Sequence, residues 1–336
     1  MNLNPQATVF LQEFASQLAK SYGVEAVNKQ FAITGPQETK LKAALLESVE
    51  FLSMITTMEV DQIKGQVVKV GNYSIATGRK GGARFVGDVQ NVDGHTYELT
   101  ETDSCSVLTW ALLSVWGNAG SQNEFMRLIN QNATQRFALD MLRVGFNGIS
   151  AAANTDPAAN PLGQDVNKGW HKIVSEKASD QIMTAPIFFD VNGNGDYKTL
   201  DAIVTELRNT LIHPSLRNDP RLVVLVGSDL IAEAQTHMMN AADKPTEKVA
   251  AQQMDKSIGG MRAYTPPFFP GKRIVVTMLS NLHIYTQRGT KMRKSENVED
   301  RKQYEDKYWR NEGYAIEEFE AYAAVDESAI TIGPTA

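Results

Sequence analysis

The sequence predicts a mixed α+β protein, and four stretches carry that reading. Residues 121–149, SQNEFMRLINQNATQRFALDMLRVGFNGI, place Phe125, Leu128, Ile129, Phe137, Met141, Leu142 and Val144 at spacings of three, four and seven, which is one helix face. Residues 221–227 and 273–279, RLVVLVG and RIVVTML, are short apolar runs of the kind that form buried strands. From Met58 the period changes: Val60, Ile63, Val67, Val68, Val70, Tyr73 and Ile75 sit among Gly65, Gly71 and Gly78, a pattern of extended chain.

The long helix has its own start and stop signals. Ser121 is placed to cap the first turn with Glu124 as its capping-box partner, and Gly145 and Gly148 mark the exit. At about 1.5 Å per residue it makes a rod of roughly 38 Å, long enough to cross a whole domain. Asn130, Gln131, Asn132, Thr134 and Gln135 interrupt the stripe; they form either a solvated face or a second face that meets other chains.

Before it, residues 6–22 predict a helix with the stripe Val9, Phe10, Phe14, Leu18 and Tyr22, closed by Gly23. Gly35-Pro36 punctuates the chain, and a second helix is expected over 37–55, with Leu41, Leu45, Leu46, Val49 and Leu52 inward. Residues 65–108 read as a two-stranded excursion with its tip at 77–88, where GRKGGAR is glycine-rich and basic. That tip lacks the phosphate-cradling GxxxxGK[ST] pattern, and long loops without a core usually bind something. After the long helix, residues 150–169 make an irregular surface loop, and Trp170 returns the chain to apolar surroundings. Strands and helices then alternate over about 185–280, with IGGMRAYTPPFFPG as a hairpin and proline turn. Residues 292–313, dense in charge of both signs, are expected to be solvated. The last stretch, YAIEEFEAYAAVDESAITI, reads as strand.

Composition narrows the function. The chain has 336 residues, 42% hydrophobic and 21% charged, enough to bury a normal core. Its 33 basic and 39 acidic residues give a net charge of −6, unlike a nucleic-acid binder driven by a basic patch. Cys105 is the single cysteine, so no intrachain disulfide framework exists; it is expected to be a small buried filler. Neither a signal peptide nor an apolar run near 18 residues is present, so no membrane contact is expected. The five histidines are scattered, without HExxH, GxSxG or Walker patterns. No catalytic, cofactor or metal residues are therefore assigned. One stretch earns a trial as a calcium loop. In DVNGNGDYKTLD, Asp190, Asn192, Asn194, Gly195 and Asp201 stand at positions 1, 3, 5, 6 and 12 of the EF-hand template. Position 12 lacks the bidentate Glu, and APIFFDV before it reads as a strand. A turn followed by a helix capped by Thr199 accounts for the same residues.

The order of parts resembles a tailed-phage major capsid protein of the Hong Kong 97 fold, and the wording resembles the P-two (peduovirus) family in particular. The matching segments are GFNG at 145–148, NPLGQDVNKGW at 160–170, GDYKTLDA at 195–202, DPRLVVLVG at 219–227, PFFPGKRIVVTMLSNLHIY at 267–285 and DRKQYEDKYWRNEGYAIEEFEAYAA at 300–324. They keep their order from about residue 20 to 332; residues 65–108 match least. The resemblance implies an N-arm at 1–35, a peripheral domain from 36–64 and 109–185 with a spine helix at 121–149, an E-loop at 65–108, an axial domain near 186–280, and a return to the peripheral domain over 281–336. It implies pentamers and hexamers of this chain in an icosahedral virion shell, assembled in the host bacterial cytoplasm. The implied partners are a scaffolding protein, a maturation protease, a portal protein and packaged double-stranded DNA held without sequence preference. It also implies trimming around Asn28, Lys29, Gln30, Phe31 and Ala32. The alternative from residues alone is a calcium-binding soluble protein or hydrolase built on the Asp190–Asp201 loop.

Overall fold

A computed structural model describes residues 3–33, 35–67, 77–78, 95–119, 121–241 and 256–333. All but two residues of the expected tip at 77–88 lie outside them. The elements, in order, are α1 (Pro5–Tyr22), β1 (Phe31–Ala32), α2 (Gly35–Ser48), α3 (Glu50–Met54), β2 (Thr56–Val60), β3 (Lys64–Gln66), β4 (Thr96–Glu98), β5 (Thr100–Thr109), α4 (Trp110–Ala119), α5 (Gln122–Asn147), α6 (Trp170–Lys177), β6 (Ile182–Met183), β7 (Ile187–Phe189), α7 (Leu200–Thr210), β8 (Leu222–Val226), α8 (Ser228–Ala241), β9 (Ser257–Ile258), β10 (Met261–Tyr264), β11 (Ile274–Met278), β12 (Leu282–Gln287), β13 (Met292–Val298), β14 (Gln303–Ile316), β15 (Ala323–Val325) and β16 (Ile330–Ile332).

The chain forms two compact units. The first comprises Met1–Ile63, Leu99–Gly169 and Ile284–Tyr314. Its six-stranded sheet runs β1-β13-β14-β12-β2, with β5 also paired to β14. The second comprises Lys64–Glu98, Trp170–His283 and Ala315–Ala336, so residues 315–336 group with 170–283. Its six-stranded sheet runs β6-β15-β11-β8-β10-β9.

In the first unit, α5 follows the expected pattern. Ser121 caps it by accepting from the Glu124 amide, and its inward face is Phe125, Ile129, Ala133, Phe137, Met141 and Val144. Asn130, Gln131 and Gln135 are exposed, while Asn132 Oδ1 accepts from the Ser106 hydroxyl at 3.0 Å. α1 is turned from its expected orientation. Ala7, Leu11, Phe14 and Leu18 face inward and Val9 is 52% exposed. Small residues set this rotation: a Cβ on Gly117 of α4 would lie 3.0 Å from that of Ala7, so the two backbones approach closely, which a stripe of large side chains does not reveal. The expected helix over 37–55 divides at Val49, whose φ of −137° is extended. Gly35 and Pro36, read as punctuation before the helix, are its first residues, as proline in a first turn can be. α4 itself was not expected.

Three further expectations are corrected here. The excursion narrows to β3 and β4, which pair from Lys64↔Glu98 to Gln66↔Thr96; β5 belongs to the main sheet and pairs with β14 over ten residues. Cys105 is exposed because Ser104 and Ser106 take the inward positions of that alternating strand. Residues 292–313 are the heart of the sheet. β13 and β14 pair from Met292↔Trp309 to Val298↔Gln303, and Arg293, Glu305, Asp306, Arg310 and Glu312 are buried. The charges are buried because each finds a partner. Arg293 Nε donates to Asp306 Oδ1 at 2.9 Å, Ser295 Oγ donates to the same oxygen at 2.8 Å, and Arg293 Nη1 donates to the Tyr22 hydroxyl at 2.9 Å. Arg310 Nε donates to Glu312 Oε2 at 2.5 Å and Nη1 to Ser104 Oγ at 2.9 Å. Lys291 Nζ lies 2.7 Å from Glu38 and 2.9 Å from Glu59.

The second unit follows its apolar pattern closely. Every residue of β8 and of β11 is buried, and the two pair antiparallel from Ile274↔Val226 to Met278↔Leu222. α7 packs Leu200, Ile203, Val204 and Leu207 into the same core. The expected hairpin is β9–β10, turning through Gly259 and Gly260 at φ +59° and +76°, where glycine is favoured.

Candidate assembly surfaces and side-chain clusters

The Asp190–Asp201 loop is a turn tied to the last strand. Asp190 Oδ1 accepts the Asn192 amide at 2.8 Å, and the Asp190 carbonyl accepts the Gly193 amide at 3.0 Å. The bond from the Asn192 amide, and then those from Asn194 and the Asn192 side chain, hold the Asp190 carboxyl below its usual range. β7 ahead of it is a strand, as expected, and pairs parallel with β16. Gly333 then packs on Asp190, where a Cβ would come within 2.9 Å of the carboxyl carbon. Asp201 turns elsewhere: its Oδ1 accepts the Gly259 amide at 2.6 Å, and Thr199 caps α7 through the Ala202 amide. The two acids that would open and close an EF-hand therefore serve two separate backbone sites.

A cluster that the scattered histidines gave no sign of lies between α6 and β15. His171 is buried, with Nδ1 3.2 Å from the Tyr322 hydroxyl and Nε2 3.0 Å from Asp326 Oδ2. Burial pushes the imidazole below its ordinary value, and the hydrogen bond from His171 holds the Asp326 carboxyl well below the usual range. Burial also raises the Tyr322 hydroxyl. Both shifts fit a neutral imidazole that donates from Nε2 to Asp326 and accepts from Tyr322 at Nδ1. Ligand atoms of His171, Asp326 and Glu327 lie within 4.8 Å of one another. Arg273 already supplies the cation there, its Nε and Nη2 donating to the two Glu327 oxygens at 2.6 and 2.7 Å, while Asp326 Oδ1 accepts the Ser328 amide at 2.9 Å. With its polar atoms paired, the cluster braces β15 and the chain after it. Cys105 does not make a nucleophile either: desolvation, then Glu305, raises its thiol, and thiolate is the reactive form.

The segment expected to be trimmed is a short exposed turn followed by a pinned strand. Asn28, Lys29 and Gln30 are exposed, Phe31 is buried and Ala32 exposed. The Val27 carbonyl accepts the Ser295 amide at 2.8 Å, Phe31 and Ala32 pair with Arg293 and Met292, and the Ile33 amide donates to Lys291 O at 2.9 Å. Residues 27–33 thus cover the outer edge of β13. α1 is docked beside them against Leu113, Phe125, Ile129 and Tyr304, and an 820 Å³ groove runs between α1, residues 24–28 and the end of β13.

Each unit is built on its own six-stranded sheet, and the first carries the 26-residue α5. The class is a shell-forming protein of the Hong Kong 97-type capsid fold. A subunit in the structure "Satellite phage P4 procapsid including size determination (Sid) protein" superposes with a TM-score of 0.77 at 27% identity, over 98% of this chain and 99% of that one.

The chain belongs to the family described as "Phage major capsid protein, P2 family", which matches residues 10–328. It is 28% identical over 331 residues to the "Capsid proteins" of Escherichia phage P2, covering 94% of this chain and 92% of the relative. It is also 28% identical over 278 residues to the "Major capsid protein" of Serratia phage KSP20, covering 79% of each. It is a major capsid protein that self-assembles into an icosahedral virion shell, a structural role. No helix among the described residues is long and apolar enough to cross a membrane.

Proposed function

We propose that the shell encloses a double-stranded DNA genome, is assembled from pentamers and hexamers in the host cytoplasm, and carries no catalytic activity of its own. A scaffolding protein, a maturation protease and a portal protein are its assembly partners. The observation that carries this reading is the match in fold and order along nearly the whole chain. A net charge of −6 favours weak, non-specific DNA contact, since tight binding depends on many neutralised phosphates. In the same reading, residues 1–35 are the N-arm, the rest of the first unit with α5 as spine helix is the peripheral domain, the chain from β3 to β4 is the E-loop, and residues 170–283 with 315–336 form the axial domain. Trimming falls at Asn28–Ala32; the exposure of Asn28, Lys29 and Gln30 supports it, because proteases cut exposed chain.

The test is co-expression with the phage scaffold. Closed shells in electron micrographs are expected, and deletion of 77–88 should leave folded subunits that do not close. Intact-mass measurement on mature particles should find a chain starting between about residues 28 and 36, at or just after the exposed turn; a full-length chain there would refute trimming. A free subunit that remains monomeric under every assembly condition would refute the reading as a whole.

A further inference from the structure

α4 is a helix without a single charged side chain, WALLSVWGNA. Its only polar side chains are Ser114 and Asn118, and an apolar helix face is normally covered. In the single chain only the inner side of α4 is covered: Leu113 and Gly117 are buried, and Trp110, half-buried, donates from Nε1 to Asn297 Oδ1 at 2.9 Å. Leu112 is 39% exposed and Val115 is 61% exposed. With Ala111, also exposed, they stand at i, i+1 and i+4 and so form one continuous ridge.

Two contacts fix how α4 is turned. A Cβ at Gly117 would lie 3.0 Å from that of Ala7 in α1, tighter than an ordinary contact, and the Asn4 amide donates to Ser114 Oγ at 3.2 Å. A turn of α4 that brought Leu112 or Val115 to this place would set a large side chain against a close backbone approach. The missing charge is local: at the start of α5, exposed Arg127 donates to Glu124 and to Gln131, the ordinary dress of a solvated face.

We propose that the outer ridge of α4, Ala111, Leu112 and Val115, is a contact surface for a second copy of this chain in the assembled shell. The inference rests on the shell-forming role and adds to it a place of contact. A ridge carried by every copy needs a partner present in equal number, and in a shell of identical chains that partner is another copy joined through a heterologous contact. Its lack of charge calls for an uncharged surface opposite, and the same chain offers one: Ile149 and Leu162 are exposed on a loop fixed by the Ile149 and Ala152 amides, which donate to Gln164 O and Asp165 O at 2.7 and 2.8 Å.

The experiment places the one reactive thiol on the ridge, in full-length Val115→Cys with Cys105→Ser. The thiol should label at the rate of an exposed cysteine in free subunits and at least about tenfold more slowly in shells, with or without scaffold present. A second variant, Leu112→Glu, should leave the melting temperature of the free subunit unchanged and lower shell yield at least about tenfold. Equal labelling in shells and free subunits would overturn the proposal. Protection that disappears when scaffold leaves would also overturn it, because the occupant would then be the scaffold. Wild-type chains that form no shells at all would instead overturn the shell-forming reading beneath it, a failure distinguishable from the other two.

Discussion

The two sheets solve the same problem with opposite chemistry. In the second unit, β8 and β11 are Val, Ile, Leu and Met with one threonine, all buried, and packing alone holds them. In the first, β13 and β14 bury arginine, aspartate and glutamate, and each charge is compensated by a named partner. An apolar sheet tolerates error because neighbouring side chains can close part of a gap. A charged one does not, because the charge left behind has nowhere to go. The difference teaches that a strand can sit in the middle of a sheet without looking apolar, provided that register delivers its counter-ions.

Breaking one pair should therefore cost most. Asp306→Ala leaves Arg293 buried without its carboxylate and should destabilise the first unit by about 3–5 kcal/mol, read by denaturant unfolding. Replacing both partners, Arg293→Met with Asp306→Leu, should recover much of that loss; if the double variant is as unstable as the single one, the charge argument is wrong. On the apolar side, Ile274→Ala should cost about 2–5 kcal/mol, and no second substitution at an ionisable residue should rescue it.

Acid should separate the two units more gently. The buried His171 titrates below its unfolded value of about 6.5, so the unfolded chain binds the extra proton first. Stability from this site is complete above about pH 6.5 and declines as pH falls through that value. Asp326 acts in the same direction at lower pH: its carboxyl is depressed, so its contribution is present above about pH 3.9 and is lost as pH drops further. In the first unit, hydrogen bonds from Lys307 and from Lys294 lower Glu305 and Glu296, whose effects begin only below about pH 4.3. Amide hydrogen exchange at pH 7 and pH 5 should show the protection of residues 170–177 and 323–326 falling while that of 303–312 holds. Uniform loss across both would sink this contrast.

The smallest effect concerns the calcium-like loop. Asp190→Ala removes the bonds that its carboxylate accepts from Asn192 and Asn194 and should lower the melting temperature less than either core variant above. Chelator should not shift the melting temperature of the wild-type chain; a drop on chelation that the variant does not share would count against the turn reading.

What the sequence made legible follows the same divide. The apolar period located α5, α7, β8 and β11, and cap residues placed the starts of α5 and α7 at Ser121 and Thr199. The fold family came through ordered wording spread over most of the chain. Residues 292–313 misled because charge density ordinarily means solvent, and only the β13–β14 register puts Asp306 beside Arg293. α1 was seen but turned, because the contact that orients it lies between Ala7 and Gly117, two residues a hydrophobic stripe ignores. Cys105 was expected inside because its own polarity outweighed the alternation of Ser104 and Ser106 around it. The His171 cluster joins residues about 150 positions apart, and nothing local announces it. For α4 a signal was available: ten residues without a charge.

The position of β14 in the chain has a consequence for synthesis. The strand at the centre of the first sheet is residues 303–316 of a 336-residue chain, and β5, waiting since residue 100, pairs with nothing else among the described strands. A ribosome must therefore deliver the chain through residue 316 before that sheet can close. A fragment that stops earlier lacks the keystone that β5, β12 and β13 share, and so has no means of forming a counterfeit building block.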